Sequence, residues 1–357
     1  MKLGILFGGR SYEHDISVIT AVEVAAALKG LAEVYPIYAK DGEFYYVKGE
    51  MKLEAFASRH VKKKKLRFCK KKGCGAVSVG LKKTVLDAVI LCCHGGEGED
   101  GRFSALLECY DFPYTASGLL ASAVTMDKRM TKILAAKKGF PTAKGVVGHR
   151  GEDVIERAKD LKYPLIVKPA RLGSSIGIEV AHDETELINA VALAFTFDTD
   201  VVIEEVVSPV TELNCAAFRE GEQIVVGGVE NPRSWNEFLT FKEKYEGGKY
   251  KSGSNRIVEG ALAERVRALT EEVYRAFELA GVARIDYLYD GQSDVLYLNE
   301  VNSQPGSLAY YLFEEVGIDF SELLFRVVNE AIRRASQTDI ICFDSRVLDN
   351  LSALSQK

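Results

Sequence analysis

Leu3-Gly-Ile-Leu-Phe-Gly-Gly-Arg-Ser-Tyr-Glu13-His-Asp-Ile-Ser17 opens the chain. Residues 3–7 are a short apolar run of β type that ends on two glycines. A helical pattern follows over residues 16–28, and residues 34–39 read as a second strand. The chain therefore opens strand–helix–strand, the start of a doubly wound parallel sheet. Residues 85–92, between Lys83 and His94, are apolar without alternation, as a parallel strand covered on both faces should be. The next eight residues, His94-Gly-Gly-Glu-Gly-Glu-Asp-Gly101, hold four glycines and cannot be regular structure. They form a loop at the C-terminal edge of a strand, where open α/β sheets bind ligands. A helix is expected over residues 102–110.

Beyond residue 120 the pattern changes to α+β. A helix over 122–138 leads to strands at 165–168 and 176–181, a helix at 184–195 and a strand at 201–206. An amphipathic helix over 262–279, with Gly281 as its terminating residue, precedes a hairpin of 283–289 with 295–301 that turns through Asp290-Gly291. A last helix spans 321–335. These elements divide the chain into an N-terminal α/β unit (1–120), a central unit (121–210) and a C-terminal unit (211–357). The lysine-rich residues 40–80 read as a solvated loop or hairpin.

Composition narrows the function. The 357 residues suit two or three domains. A net charge of −5 argues against general nucleic-acid binding, which needs a basic surface. No stretch approaches the ~18 apolar residues of a membrane span, and residues 3–7 are too short for a signal-peptide core. Seven cysteines at irregular spacing read as reduced small hydrophobes of a cytoplasmic protein.

The hairpin carries the most chemistry. Residues two apart on a strand share a face, so Arg284 projects with Asp286, and Glu300 with Asn302. With the hairpin centred near Ser293, Asp286 lies across from Glu300 and all four groups share one face. Two neighbouring carboxylates repel unless a cation lies between them, and an all-oxygen set suits Mg²⁺. The other reading is a surface ladder in which Arg284 pairs with Glu300 and Asp286 is solvated. Tyr163-Pro-Leu-Ile-Val-Lys168 is a buried strand that delivers a lysine into Arg171-Leu-Gly-Ser174-Ser-Ile-Gly177. Backbone N–H groups of such a loop can wrap an anion, or the segment is a plain hairpin turn. Lys128, and Glu204, Glu205 and Glu212 near a strand edge, read alone as surface residues; the three carboxylates could also hold an adenosine.

Taken in order, these motifs resemble the ATP-grasp enzymes and, within them, the D-alanine–D-alanine ligase family, over residues 3–330. The resemblance implies a three-domain ATP-grasp architecture and ATP-dependent joining of two D-alanines through an acyl phosphate, for cell-wall precursor synthesis. It implies that Glu13 binds the first substrate's amino group, with His94 near the same substrate. Lys128, Lys168 and Lys244 would hold ATP phosphates, and Glu204, Glu205 and Glu212 its adenosine. Ser174, also at the nucleotide, would link Glu13 to Tyr245 of a covering loop within residues 235–253. Asp286, Glu300 and Asn302 would hold two magnesium (or manganese) ions, and Arg284 would stabilise the transferring phosphoryl group. Ser307 and Leu308 would contact the second substrate. A homodimer is implied as well.

The match departs in three places. After Asn302 the chain runs Ser-Gln-Pro-Gly306 straight into Ser307-Leu308, several residues shorter than the family pattern. The run Leu239-Thr-Phe-Lys-Glu-Lys-Tyr245 lacks the family's tyrosine- and aspartate-rich character. The residues after Gln337 have no counterpart. The first departure keeps a second reading open, a ligase whose second substrate is D-lactate, D-serine or another amino acid. A non-catalytic nucleotide-binding regulator has no need of Arg284, and a nicotinamide oxidoreductase lacks its glycine spacing after Gly8-Gly9.

Overall fold

The computed structural model describes residues 1–208, 210–232 and 256–337. Expectations for Lys244, Tyr245, residues 235–253 and the tail lie outside the described residues.

The N-terminal part holds β1 (Lys2–Gly8), α1 (His14–Ala27), β2 (Glu33–Lys40), β3 (Glu43–Val47), α2 (Leu53–Ala57), β4 (Lys63–Lys65), β5 (Arg67–Lys71), β6 (Cys74–Val79), β7 (Lys82–Val85), β8 (Ala88–Leu91) and α3 (Arg102–Cys109). β1 pairs in parallel with both β2 and β8. Leu3, Ile5 and Phe7 face α1, while Leu6 faces the α3 side with Phe103 and Leu107. Both faces are covered, which explains the unbroken apolar run.

The sheet is not wholly parallel, as the strand–helix–strand opening suggested. Its order is β4-β3-β2-β1-β8, and β3 and β4 join antiparallel. The reason is local: Asp41 and Gly42, both at positive φ, close a tight hairpin from β2 to β3, and a turn that short permits only antiparallel pairing. The lysine-rich segment supplies β4 and the separate three-stranded sheet β5-β6-β7.

α4 (Leu119–Met126) and α5 (Lys128–Lys138) replace the single helix expected over 122–138. Asp127 has extended backbone, and its carboxylate accepts from the Arg129 and Met130 amides at 3.0 and 3.4 Å. It is an N-cap that starts a new helix.

Next come β9 (Gly145–His149), α6 (Val154–Ala158), β10 (Leu165–Pro169), β11 (Glu179–Ala181), α7 (Glu184–Phe197) and β12 (Asp200–Glu205), with the antiparallel order β11-β10-β12-β9. The last part holds β13 (Thr211–Glu220), β14 (Gln223–Asn231), β15 (Arg256–Val258), α8 (Ala261–Ala276), β16 (Ala283–Asp290), β17 (Val295–Asn302), α9 (Tyr310–Glu314) and α10 (Phe320–Ser336). Its sheet runs β15-β14-β13-β16-β17, packed on α8 through Val266, Val273, Tyr274, Ile285 and Tyr287. Gly281 does not terminate α8, which ends at Ala276. Its positive φ instead lets the backbone pass against the Thr115 carbonyl. No described helix is long and apolar enough to cross a membrane. The cysteines within the described residues are free thiols.

Candidate active site

The β16–β17 hairpin has the register its sequence implies: Asp286 opposes Glu300, and Arg284 opposes Asn302. Ile285, Tyr287 and Val301 enter the core, leaving the four polar groups on the other face. Arg284 does not take Glu300. It donates to both oxygens of Asp286 at 2.7 and 2.8 Å, and Asn302 Nδ2 donates to Asp286 Oδ2 at 2.9 Å. Glu300 meets Lys128 Nζ at 3.0 Å. The surface-ladder arrangement is therefore not the one observed. Burial works against the Arg284 charge, but the Asp286 carboxylate outweighs it and lifts the guanidinium pKa well above its ordinary value.

A bulge between Asp286 and Tyr287 leaves Asn299 as an extra residue in β17, so Tyr287 opposes Leu298. Two successive side chains, Asn299 and Glu300, then leave the core face together. Asn299 Oδ1 accepts from Lys168 Nζ at 3.3 Å.

Lys168 is buried at the end of β10, and β12 runs antiparallel beside it. Its ammonium donates to Glu204 Oε2 at 2.7 Å. The other Glu204 oxygen meets Lys132 Nζ, one helical turn beyond Lys128 on α5. Three ammonium groups thus gather around Glu204 and Glu300. Burial and the neighbouring lysines push Lys168 down to about 8 and Lys132 to about 7. Lys132 is absent from the sequence reading, although its spacing of four from Lys128 puts both on one helix face. Glu204 is 1% exposed and faces lysines on both sides. Glu205 is not brought into the cluster. Successive strand residues face opposite ways, and Glu205 meets Lys144 Nζ and the Lys162 amide, both at 3.1 Å. Glu212 is the second residue of β13 and contributes to the field at Lys168.

The loop after β10 reaches the N-terminal part. Ser174 and Ser175 lie at φ 55° and 57°, and the Ser174 hydroxyl donates to Glu13. Lys128 Nζ donates to the Leu172 carbonyl at 2.8 Å, which ties this loop to Glu300. Glu13 stands at the N-cap of α1, yet its carboxylate does not cap the helix. A Cβ on Gly95 would lie 2.6 Å from it, so glycine there allows the His94 loop to close on Glu13. Within that loop Glu99 accepts from the Gly95 amide at 3.0 Å. Burial, with Glu13 and Glu300 nearby, raises Glu99 to about 8. The sequence places Glu99 in a ligand loop without separating it from Glu97, which Arg10 holds.

His94 is buried and bonded through both ring nitrogens, to the Gln304 carbonyl and to Thr20 Oγ1, each at 2.8 Å. Ser307 and Leu308 are also buried, at 4% and 2% exposure. The Ser307 amide donates to Thr20 at 3.0 Å and the Leu308 amide to Pro305 O at 3.0 Å.

Asp286 and Glu300 carry carboxylates and Asn302 an amide oxygen, the donor types a hard divalent cation takes. Among the described residues no group of three or more His, Cys, Asp or Glu could hold a metal. The set has two carboxylates and an amide, and Mg²⁺ commonly completes one or two carboxylates with phosphate oxygens. The donor set fits.

A mixed α/β body of several sheets is the build shared with solved D-alanine–D-alanine ligases, which are ATP-grasp enzymes. Two family models match, "D-ala D-ala ligase N-terminus" over residues 2–117 and "D-ala D-ala ligase C-terminus" over residues 137–329. A D-alanine–D-alanine ligase of Thermosipho melanesiensis is 34% identical, with 98% of each chain covered. The chain belongs to the D-alanine–D-alanine ligase family. Among solved structures, the VanG D-Ala:D-Ser ligase of Enterococcus faecalis superposes at TM-score 0.79 with 26% identity, covering 92% of this chain and 99% of that one. The Bacillus anthracis D-alanine–D-alanine ligase complexed with ATP does so at 0.70 with 26% identity, covering 94% and 99%.

Proposed function

We propose that the protein joins two D-alanines at the expense of ATP, forming D-alanyl-D-alanine, ADP and phosphate for cell-wall precursor synthesis. The observation that carries this reading is the meeting of three segments. Glu13 lies against the Ser174 loop, and Lys128 ties that loop to Glu300 beside Arg284 and Asp286. An amino-group ligand, a phosphate cradle and a transition-state cation are then within one cleft. Residues 1–120, 121–210 and 211–357 are read as the three domains that bound it.

A carboxylate is a poor electrophile and must be activated. Glu13 holds the first D-alanine by its ammonium, and its carboxylate attacks the γ-phosphorus of ATP to give an acyl phosphate and ADP. Lys128 and Lys168 hold ATP oxygens, Glu212 the ribose, and Arg284 the charge on the transferring group. Glu204 acts on the nucleotide through the lysines it anchors. Asp286, Glu300 and Asn302 would hold magnesium or manganese, two ions in this reading, which supplies charge neutralisation at the phosphates. The second amine then attacks the acyl carbon and phosphate leaves. The Ser174 loop and Tyr245 with Lys244 would keep water from the acyl phosphate. Use of ATP assigns the enzyme to the cytoplasm, and we read it as a homodimer.

One feature favours a different second substrate. Ser307 and Leu308 are buried with both amides engaged, in the segment shorter than the family pattern. ADP release with Mg-ATP over D- and L-amino acids and D-hydroxy acids, with product masses, tests both readings. D-alanine alone should yield the dipeptide. Turnover only with a mixed pair favours the second reading, and ATP binding without turnover overturns both.

A further inference from the structure

The chain leaves β17 and enters a short turn, Gly306–Ala309. There Ser307, Leu308 and Ala309 lie in the left-handed region at φ 50°, 51° and 45°. Three consecutive residues with side chains in that region are strained, and such strain persists only where surroundings over-determine it. Two things do so here. Leu308 and Ala309 are buried in the core with Val18 and Ala21 of α1. The polar side is fixed by a chain of hydrogen bonds whose direction follows from chemistry.

The Gln304 carbonyl can only accept, so His94 Nδ1 carries the proton in their 2.8 Å contact. Burial favours the neutral ring and lowers its pKa. Nε2 is then an acceptor, and the Thr20 hydroxyl must donate to it across 2.8 Å. The Thr20 oxygen accepts in turn from the Ser307 amide at 3.0 Å. The order Ser307 N–H, Thr20 O–H, His94 N–H, Gln304 C=O closes a ring from the start of the turn back to the residue just before Pro305. Thr20 and Gln304 are nearly inaccessible, at 0% and 2%, so water does not compete. The Gln304 side chain also donates to the Leu91 carbonyl, which fastens this segment to the end of β8.

We propose that Thr20 is a positioning residue for the second-substrate side of the site, its hydroxyl holding residues 307–309 in the conformation that receives the second amino acid. The inference rests on the ligase reading and adds a residue of α1 to it. His94 is, on this account, a buried strut of fixed tautomer, with no free nitrogen for substrate.

The test uses the full-length protein with Mg-ATP. Hydroxylamine traps the acyl phosphate as a hydroxamate, which reports the first amino acid alone. Dipeptide formation reports both. Thr20→Val keeps the volume and removes the hydroxyl. It should raise the concentration of second amino acid for half-maximal dipeptide formation about tenfold, the loss of roughly one hydrogen bond. Hydroxamate formation should stay within about twofold, and Thr20→Ser should restore the wild-type value. If the valine variant does not fold, Thr20→Ala, favourable in a helix, carries the same expectation. An equal fall in both half-reactions, no change in either, or no rescue by serine would overturn the proposal. Wild-type protein that forms no hydroxamate with any amino acid overturns the ligase reading and, with it, this one.

Discussion

Arg284 and Lys132 show how single side chains are used here. Arg284 spends two donors on Asp286 in a fork that fixes its plane. Lysine is a point charge without that fork. Arg284→Ala should therefore lower turnover by a factor of roughly 10² or more, the scale of losing a transition-state donor. Arg284→Lys should recover little of it. ATP affinity, measured by calorimetry, should change far less; a parallel loss would deny Arg284 its transition-state role. Lys132 acts through Glu204, which is 1% exposed and pairs with two ammonium groups. Removing one partner of a buried pair costs about 3 kcal/mol. Lys132→Met should lower stability by about that amount and raise the ATP requirement several-fold, since Lys168 would be left to hold that carboxylate. Unchanged thermal unfolding together with unchanged ATP saturation would remove Lys132 from the site.

At the scale of elements, the hairpin is largely legible in the sequence, because register follows from the turn and from period-two burial. Pairing Asp286 with Glu300 needs only a centre near Ser293. The bulge has a trace too: the core residues of β17 are Leu296, Leu298 and Val301, where strict alternation would require position 300. The extra residue is Asn299, whose amide meets Lys168. Deleting Asn299 should restore a regular ladder with Asp286 still opposite Glu300, so the protein should fold and metal dependence persist. ATP binding should weaken several-fold, because Lys168 loses an acceptor; calorimetric titration showing wild-type affinity would contradict this. Other breaks have weaker traces. The helix over 122–138 looks continuous because apolar spacing runs through Asp127, and the cap prevails because Asp127 holds the nearby Arg129 guanidinium, which a tertiary ion pair with Asp200 fixes in turn. The left-handed turn at 307–309 has no trace, since serine, leucine and alanine carry no preference for positive φ. Long-range packing on α1 imposes it.

At the scale of the molecule, the first and last parts of the described chain share one core. Leu3, Ile5, Val18 and Ala21 pack with Leu308, Leu312, Leu324 and Val328. Polar ties run beside it. The Ser117 hydroxyl bonds both the Ala280 amide and carbonyl at 3.0 Å, and Arg334 donates to the Tyr114 and Ala116 carbonyls at 2.8 and 3.0 Å. At the tightest point Gly281 passes the Thr115 carbonyl with φ 66°, and a Cβ there would lie 2.1 Å from that oxygen. No side chain fits without moving one backbone against the other, and the left-handed conformation adds its own cost. Gly281→Ala should thus destabilise by about 2–4 kcal/mol, lowering Tm by roughly 3–5 °C for a chain of this size. Because the strained contact joins the N-terminal and C-terminal parts of the described chain, the whole transition should shift as one peak in scanning calorimetry. A variant in which one peak stays at the wild-type temperature while a second falls would mean that the two parts unfold independently, and that the cleft between them is held by the polar ties and not by the shared core.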